Sequence, residues 1–172
     1  MPLKNVSFTL NKGDKLAVIG EEGNGKSTLL KVIVGKCSYA EVTGNINTQG
    51  NRIGYLEQSM HEENINKTVY DFLFKDANDY YGKINHLYKN LDVLHLKDDI
   101  LERVVHTLSG GEKVKVSILK LLLDEYDILL LDEPTNDLDI ETLEWLEKFI
   151  NETDKPIIYV SHDETLLDLL RN

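Results

Sequence analysis

The sequence predicts an α/β fold in which a mostly parallel β-sheet is flanked by helices. Three short apolar runs, at residues 16–19, 128–131 and 157–160, have the length and composition of strands buried on both faces. The segments between these runs carry apolar residues at helical spacing. Buried strands that alternate with helices are typical of a parallel sheet with both faces covered. The 172 residues suffice for one hydrophobic core, and we expect residues 1–172 to form a single domain.

Glycines and apolar spacing place the helices along the chain. A helix is predicted at residues 26–34, directly after a glycine-rich loop, and Gly35 is expected to end it. The apolar periodicity predicts further helices at residues 68–74, 84–94, 114–123, 143–150 and 164–170. The helix at 114–123 is expected to be entered through residues 109–111, Ser-Gly-Gly. The stretch from about 68 to 123 is therefore expected to be a small helical subdomain.

Shorter segments predict additional strands. Residues 6–10 alternate apolar and polar side chains, and residues 44–47 and 52–56 have the composition of short strands. We expect an antiparallel β part at the N-terminal end of the domain, beside the parallel sheet.

The composition is that of a soluble globular protein and excludes several classes. No apolar run is long enough to cross a membrane, and no basic-then-apolar segment indicates export. The net charge of −11 argues against a nucleic-acid-binding surface formed by the chain as a whole. Cys37 is the only cysteine, which excludes an intrachain disulfide and fits a cytoplasmic location.

A phosphate-binding loop stands between the first apolar run and the first helix. Residues 20–27, Gly-Glu-Glu-Gly-Asn-Gly-Lys-Ser, match the pattern G-x-x-x-x-G-K-[S/T] of P-loop NTPases. Glycines let the backbone wrap around a phosphate, and the positive end of the following helix adds to the attraction. Lys26 is expected to bridge the β- and γ-phosphates of ATP, and the Ser27 hydroxyl to bind Mg²⁺. The expected nucleotide contacts here are Gly20, Glu21, Glu22, Gly23, Asn24, Gly25, Lys26, Ser27 and Thr28.

Two acidic residues follow the second apolar run. Residues 128–133 are Ile-Leu-Leu-Leu-Asp-Glu, the Walker B pattern. A buried strand would carry both carboxylates to the C-terminal edge of the sheet, where ligands bind in folds of this kind. We expect Asp132 to hold Mg²⁺ through water and Glu133 to orient or deprotonate the attacking water.

Further motifs resemble those of the ATP-binding cassette (ABC) ATPases, in the family's order. Residues 108–112, Leu-Ser-Gly-Gly-Glu, are similar to the signature motif, and Thr28 continues the phosphate loop as the family does. Gln58 resembles the Q-loop glutamine, residues 136–139 resemble the D-loop, and His162 resembles the switch histidine. With the phosphate loop and the acidic pair, six family motifs are present.

The resemblance implies an ATPase with a defined set of site residues. It implies catalytic roles for Gln58, Glu133 and His162. It also implies that Ser27, Gln58 and Asp132 hold the Mg²⁺ that accompanies ATP.

The signature motif implies a partner. In the family it faces the nucleotide of the opposite module, so ATP joins two modules and hydrolysis releases them. Free N–H groups at a helix N-terminus suit a γ-phosphate. The residues implied in this contact are Ser109, Gly110 and Gly111. The expected partner is a second ABC ATPase domain, in the same longer chain or in a homodimer, and a lone module is expected to hydrolyse ATP slowly.

The resemblance is strongest to the ABC-F branch. Glu112 stands where most transporter subunits carry glutamine, and residues 132–139 are similar to a block typical of ABC-F proteins. That branch comprises soluble two-domain ATPases that act on the ribosome as translation factors or protect it from antibiotics. Asp137 and Glu22 depart from the residues usual there, and the segment after Gln58 is too short for the long helical arm of many members.

Two alternatives remain open. One is the ATPase subunit of a membrane transporter, whose partner is a permease. The other is a non-hydrolysing regulatory module, against which Glu133, His162 and the signature motif argue. No aromatic residue at the family's spacing precedes the first buried strand, and little chain follows His162. We therefore expect one nucleotide-binding domain of a longer two-domain protein.

Overall fold

The computed structural model describes residues 4–19, 25–37, 41–57, 59–134 and 138–161, which fall in two compact units. The sheet unit lies within Met1–Gln58, Tyr126–Asn136 and Leu143–Asn172. The helical unit lies within Ser59–Glu125 and Asp137–Thr142. The phosphate loop and the acidic pair belong to the sheet unit, and the signature motif belongs to the helical unit.

In the part of the chain that the structure describes, the sheet has four parallel strands. They are β1 (Lys15–Ile19), β2 (Ile53–Leu56), β3 (Ile128–Asp132) and β4 (Ile157–Ser161), in the spatial order β1-β4-β3-β2. The inner strands β3 and β4 are almost entirely buried, which explains why their sequences are continuous apolar runs. Because the strands are parallel, their carboxyl ends meet at one edge, where β3 places Asp132.

One cluster of apolar side chains joins helix α1 (Lys26–Ile33) to the sheet. Its buried members are Leu30, Leu130, Ile158 and Val160. Burying one such side chain contributes about 2 kcal/mol to folding. The cluster therefore fixes α1, including its first turn, against one face of the sheet.

Among the helices that the structure describes, four lie entirely in the helical unit. They are α2 (Glu62–Ile65), α3 (Val69–Leu73), α4 (Ala77–Val93) and α5 (Gly110–Leu123), accompanied by 3₁₀ turns at Asp98–Glu102 and Val105–Thr107. α5 packs against α3 and α4. Their buried apolar residues include Val69, Leu73, Leu87, Leu91, Val116, Ile118 and Leu119. Within the described residues, no helix combines the length and the apolar character needed to cross a membrane.

Side-chain caps define where three helices of this unit begin. Thr68, Asp76 and Ser109 each accept the backbone N–H of the residue three positions later, at the start of α3, α4 and α5. An N-cap of this kind stabilises a helix by about 1 kcal/mol. The cap at Asp76 explains why α4 begins several residues before the apolar periodicity that predicted it, whereas the cap at Ser109 agrees with the predicted entry into α5.

Helix α6 (Ile140–Glu152) begins after Asp139, whose carboxylate accepts the backbone N–H of Thr142 at 2.9 Å. Hydrogen bonds from the side chain and the backbone of Thr142 hold the pKa of Asp139 below its ordinary value. Further along, Trp145 is buried and stacks on Phe149, with the ring centroids 5.5 Å apart. These contacts fix both the start and the buried face of the helix.

The predicted parallel sheet with flanking helices is confirmed, and one predicted part is corrected. Residues 4–14 and 41–50 contain no strand, so the strands predicted at residues 6–10 and 44–47, and with them the antiparallel β part, are absent. Val6 is 50% exposed and Ile46 is 51% exposed. A small ribbon needs a covered apolar face to be stable, and these side chains gain little burial. The helix predicted at residues 164–170 lies outside the described residues.

Candidate functional site

The glycine-rich loop enters α1 through a residue in the left-handed region. Gly25 is the N-cap of α1 and has a φ of 81°, a conformation that would strain a residue with a Cβ. Its carbonyl accepts the Leu29 N–H at 3.0 Å, the first hydrogen bond of the helix. Gly25 offers no side chain to cap the N–H groups of the first turn. Such N–H groups attract anions, so this end of α1 suits a phosphate.

Lys26 and Glu133 meet at the carboxyl edge of the sheet. Lys26 Nζ lies 3.8 Å from Glu133 Oε1, and the side chains are 7% and 8% exposed. Glu133 directly follows β3, and its N–H donates to the Val160 carbonyl at 2.9 Å. Its φ of 48° is in the left-handed region, which costs a residue with a side chain about 1–2 kcal/mol. Strain of this kind is concentrated at functional sites, and here it accompanies a buried carboxylate paired with a buried cation.

Each carboxylate oxygen of Asp132 accepts a hydrogen bond from a hydroxyl group. Ser27 Oγ donates to Asp132 Oδ1 at 2.9 Å, and Tyr55 Oη donates to Asp132 Oδ2 at 2.8 Å. Asp132 is only 2% exposed. A buried carboxylate is stabilised by such hydrogen bonds, because they replace the water it has lost. The helix that follows the phosphate loop and the acidic strand are therefore connected directly by Ser27 and Asp132.

Hard oxygen ligands are available where the sequence predicts Mg²⁺. Magnesium in nucleotide sites is typically held by one or two protein oxygens, water and phosphate oxygens. The Ser27 hydroxyl and the Asp132 carboxylate are such oxygens, and they are already 2.9 Å apart. The donor set therefore fits the ion.

Tyr55 was not predicted from the sequence. It lies in β2, whose side chains gave only a weak strand pattern. The one available signal was a tyrosine near the end of a short strand. A tyrosine at that position does not indicate a contact with Asp132 until the pairing of β2 with β3 is known.

In the helical unit, the signature motif begins α5 with a capping box. The Glu112 N–H donates to Ser109 Oγ at 3.1 Å, and the Ser109 N–H donates to Glu112 Oε1 at 3.0 Å. Arg103 Nη1 lies 2.8 Å from Glu112 Oε2. The backbone N–H of Ser109, followed by the Arg103 charge, holds the pKa of Glu112 below its ordinary value. Glu112 thus stabilises the helix start, a structural task within this unit.

Gly111 leaves no room for a side chain. A Cβ at this position would lie 3.2 Å from both Cβ and Cγ2 of Thr142, and closer still to its Oγ1. Contacts this short are tighter than protein interiors allow. The second glycine of the signature is therefore required by packing inside the helical unit.

The structure brings together part of the predicted site. Lys26, Ser27, Asp132 and Glu133 converge in the sheet unit, whereas Ser109, Gly110 and Gly111 belong to the helical unit. Gly25 is the N-cap of α1, and Thr28 lies within that helix. The remaining predicted residues lie outside the described residues. They are Gly20, Glu21, Glu22, Gly23, Asn24, Gln58 and His162.

Comparison with known proteins identifies the relatives of this chain. Residues 3–136 match the family described as ABC transporter. ABC transporter F family member 2 from Arabidopsis thaliana is 38% identical over 176 residues, which cover 100% of this chain and 25% of that protein. The ribosome protection protein VmlR from Bacillus subtilis (strain 168) is 34% identical over 169 residues, which cover 98% of this chain and 30% of that protein. The chain thus spans less than a third of either relative.

A solved structure shares the fold. It is the complex of the archaeal ribosomal stalk protein aP1 with the archaeal ribosome recycling factor aABCE1. The TM-score is 0.69 at 28% identity, and the similarity covers 94% of this chain and 31% of that chain.

Proposed function

The chain belongs to the ABC transporter family, as an ATPase domain similar to the family's F-type members, and on this basis we propose that it binds ATP with Mg²⁺ at the carboxyl edge of its sheet. The observation that carries this proposal is the hydrogen bond of 2.9 Å from Ser27 Oγ to Asp132 Oδ1. It joins the first turn of the helix after the phosphate loop to the acidic end of β3. A phosphate on the loop and a metal on the carboxylate would therefore be neighbours.

Each residue at this edge has a distinct task in the proposal. Lys26 binds the β- and γ-phosphates, and the backbone N–H groups around Gly25 donate hydrogen bonds to the phosphate oxygens. Ser27 and Asp132 hold Mg²⁺, which when bound neutralises part of the triphosphate charge. Glu133, buried at the same edge, accepts a proton from the attacking water.

Hydrolysis follows from that arrangement. The water oxygen forms a bond to the γ-phosphorus, and the bond from that phosphorus to the bridging oxygen breaks, which yields ADP and phosphate. The water proton passes to Glu133. The pairing of Lys26 with Glu133 supports this assignment, because binding of a triphosphate by Lys26 would leave the carboxylate available to water.

A second ABC domain completes the site in this proposal. Ser109, Gly110 and Gly111 of one domain contact the γ-phosphate held by the other, and the positive N-terminal end of α5 suits an anion at that position. Gln58 is proposed to hold Mg²⁺ and to contribute to catalysis, and His162 is proposed to contact the γ-phosphate.

The complete protein is proposed to act on the ribosome in the cytoplasm, as a translation factor or in antibiotic resistance. The support comes from two relatives whose names state a ribosomal role, the protection protein VmlR and the recycling factor aABCE1. The similarity to an F family member points in the same direction. A second candidate is a transporter ATPase subunit with a permease partner, which the description of the matched family favours.

Ribosome co-sedimentation tests this proposal. The complete protein with Glu133→Gln is incubated with ribosomes and Mg-ATP, and its fraction in the ribosomal pellet is measured. We expect ATP-dependent co-sedimentation that disappears with ADP and in the Lys26→Ala/Glu133→Gln double variant. An unbound protein that instead fractionates with a permease in membranes would favour the transporter subunit.

A further inference from the structure

We propose that Tyr55 is a positioning residue that fixes the orientation of the Asp132 carboxylate for the metal of a bound Mg-nucleotide. This inference rests on the function proposed above and assigns a residue that the family motifs do not include. It is carried by the hydrogen bond of 2.8 Å from Tyr55 Oη to Asp132 Oδ2. The reasoning starts from the register of the sheet.

Tyr55 and Asp132 lie on the same face of the sheet. Tyr55 pairs with Leu130 across β2 and β3, and paired residues of parallel strands present their side chains to the same face. Asp132 is two residues beyond Leu130, so its side chain also lies on that face. This is the face that α1 covers, because Leu30 and Leu130 belong to the same core cluster.

The tyrosine side chain has the length that this position requires. Two residues along a strand span about 6.6 Å. A side chain at the position of Tyr55 must cover that distance and end in a donor to reach Asp132 Oδ2. The phenol of tyrosine does both. Lys36 Nζ lies 5.9 Å from the centroid of the Tyr55 ring, a second contact that holds the ring in place.

The two donors to Asp132 differ in the task that each can perform. Ser27 belongs to the first turn of α1, and its hydroxyl oxygen is itself proposed to contact the metal. Tyr55 comes from a strand of the sheet and contacts the other carboxylate oxygen. The Tyr55 bond therefore holds the plane of the carboxylate even when the Ser27 hydroxyl turns towards a ligand.

The test separates metal-dependent from metal-independent nucleotide binding. The affinity of the complete protein for ATP is measured by calorimetry with Mg²⁺ and again with EDTA, for wild type and Tyr55→Phe. Phenylalanine keeps the ring and removes only the hydroxyl. We expect the gain in affinity that Mg²⁺ provides to fall about tenfold, as for a lost hydrogen bond to a charged group, with the affinity in EDTA changed less than about twofold.

Tyr159→Phe is the matched control. Tyr159 is a buried tyrosine on the neighbouring strand β4, and it pairs with Leu131, so it lies on the opposite face of the sheet from Asp132. Loss of its hydroxyl is expected to leave the Mg²⁺-dependent gain unchanged. A melting curve of each variant reports whether the fold is retained.

A chemical rescue distinguishes positioning from packing. Replacement of Tyr55 by p-aminophenylalanine restores an N–H donor at the end of the ring and is expected to recover part of the Mg²⁺-dependent gain. This rescue also decides the matter if Tyr55→Phe does not fold. The positioning role alone would be overturned if Tyr55→Phe kept the full Mg²⁺-dependent gain in ATP affinity. It would also be overturned if p-aminophenylalanine failed to recover that gain. A wild-type protein with no Mg²⁺-dependent gain would overturn the proposed function as well.

Discussion

Lys26 Nζ and Glu133 Oε1 lie 3.8 Å apart and form an ion pair whose side chains are at most 8% exposed. The pair joins the residue proposed to grip the triphosphate to the residue proposed to accept the water proton. Removing one partner of a buried ion pair leaves the other charge without compensation, which is more costly than removing both. The two residues are thus coupled in the nucleotide-free state, and their variants have to be interpreted together.

Glu133→Gln is expected to retain ATP binding and lose hydrolysis. The amide keeps an oxygen that accepts from Lys26 but cannot take a proton from water, and loss of a general base typically costs about 10²–10⁴-fold in rate. Phosphate release by the complete protein measures turnover, and calorimetry measures binding. The control is Glu152→Gln, an exposed carboxylate 3.9 Å from Lys148 on α6, which is expected to leave both unchanged. Unchanged turnover in Glu133→Gln would show that another group is the base.

Lys26→Ala is expected to weaken ATP binding by about tenfold or more, the scale of a lost hydrogen bond to a charged group. A fluorescence titration with a nucleotide analogue measures the affinity. Lys12→Ala is the matched control. The Lys12 side chain is 85% exposed, and its Nζ lies 4.0 Å from Oδ2 of Asp154, whose side chain is 81% exposed, so this surface ion pair contributes little to stability. Equal affinity in Lys26→Ala and wild type would contradict the assignment of the phosphate loop.

The same ion pair predicts non-additive stability. Lys26→Ala leaves the buried Glu133 carboxylate without this partner, so we expect a lower free energy of unfolding than in wild type. Adding Glu133→Gln is expected to recover part of that loss, because the uncompensated charge is then removed. Urea unfolding of the two single variants and the double variant gives the coupling energy. Strictly additive effects would indicate that the pair does not contribute to the fold.

The sequence predicted the elements whose signals are local. The inner strands β3 and β4 are continuous apolar runs, and α1 follows a glycine-rich loop, so all three were predicted within one residue of their bounds. The start of α4 was predicted too late, because its first turn is fixed by a polar cap at Asp76 and not by apolar spacing. The predicted entry into α5 through residues 109–111 agrees with the cap at Ser109.

Contacts between residues that are far apart in the chain could not be predicted from local sequence patterns. The contact of Tyr55 with Asp132 depends on β2 pairing with β3 in one register, which no local pattern specifies. The strand predicted at residues 6–10 failed for a related reason. Alternation indicates a strand only where a neighbouring strand and a covered face exist, and Phe8 there is 44% exposed.

Glu112 gives the helical unit a pH-dependent contribution to stability. Because the pKa of Glu112 is lowered in the folded state, its contribution is present above the ordinary glutamate pKa of about 4.3 and is lost as the pH falls through the lower folded value. We expect Glu112→Gln to cost about 1 kcal/mol at pH 7, the scale of a helix cap, and less at acidic pH. Urea unfolding at several pH values measures this difference. Glu102→Gln, at an exposed carboxylate of a 3₁₀ turn, is the control and should follow wild type. An equal loss at all pH values would contradict the ionic origin of the effect.

Gly111→Ala is expected to destabilise the helical unit, whereas Gly82→Ala is expected to stabilise it. A Cβ on Gly111 would lie 3.2 Å from Cβ and Cγ2 of Thr142 and closer still to its Oγ1. Overpacking of this kind costs about 1–3 kcal/mol. A Cβ on Gly82, within α4, meets no atom within 4 Å, and alanine is favoured over glycine inside a helix by about 0.5–1 kcal/mol. Thermal unfolding without nucleotide compares the two variants directly. Adding Thr142→Ala to Gly111→Ala removes Oγ1 and Cγ2, so part of the lost stability should return. If Gly111→Ala is as stable as Gly82→Ala, the signature glycine is not required for packing, and its role would have to be contact with the nucleotide.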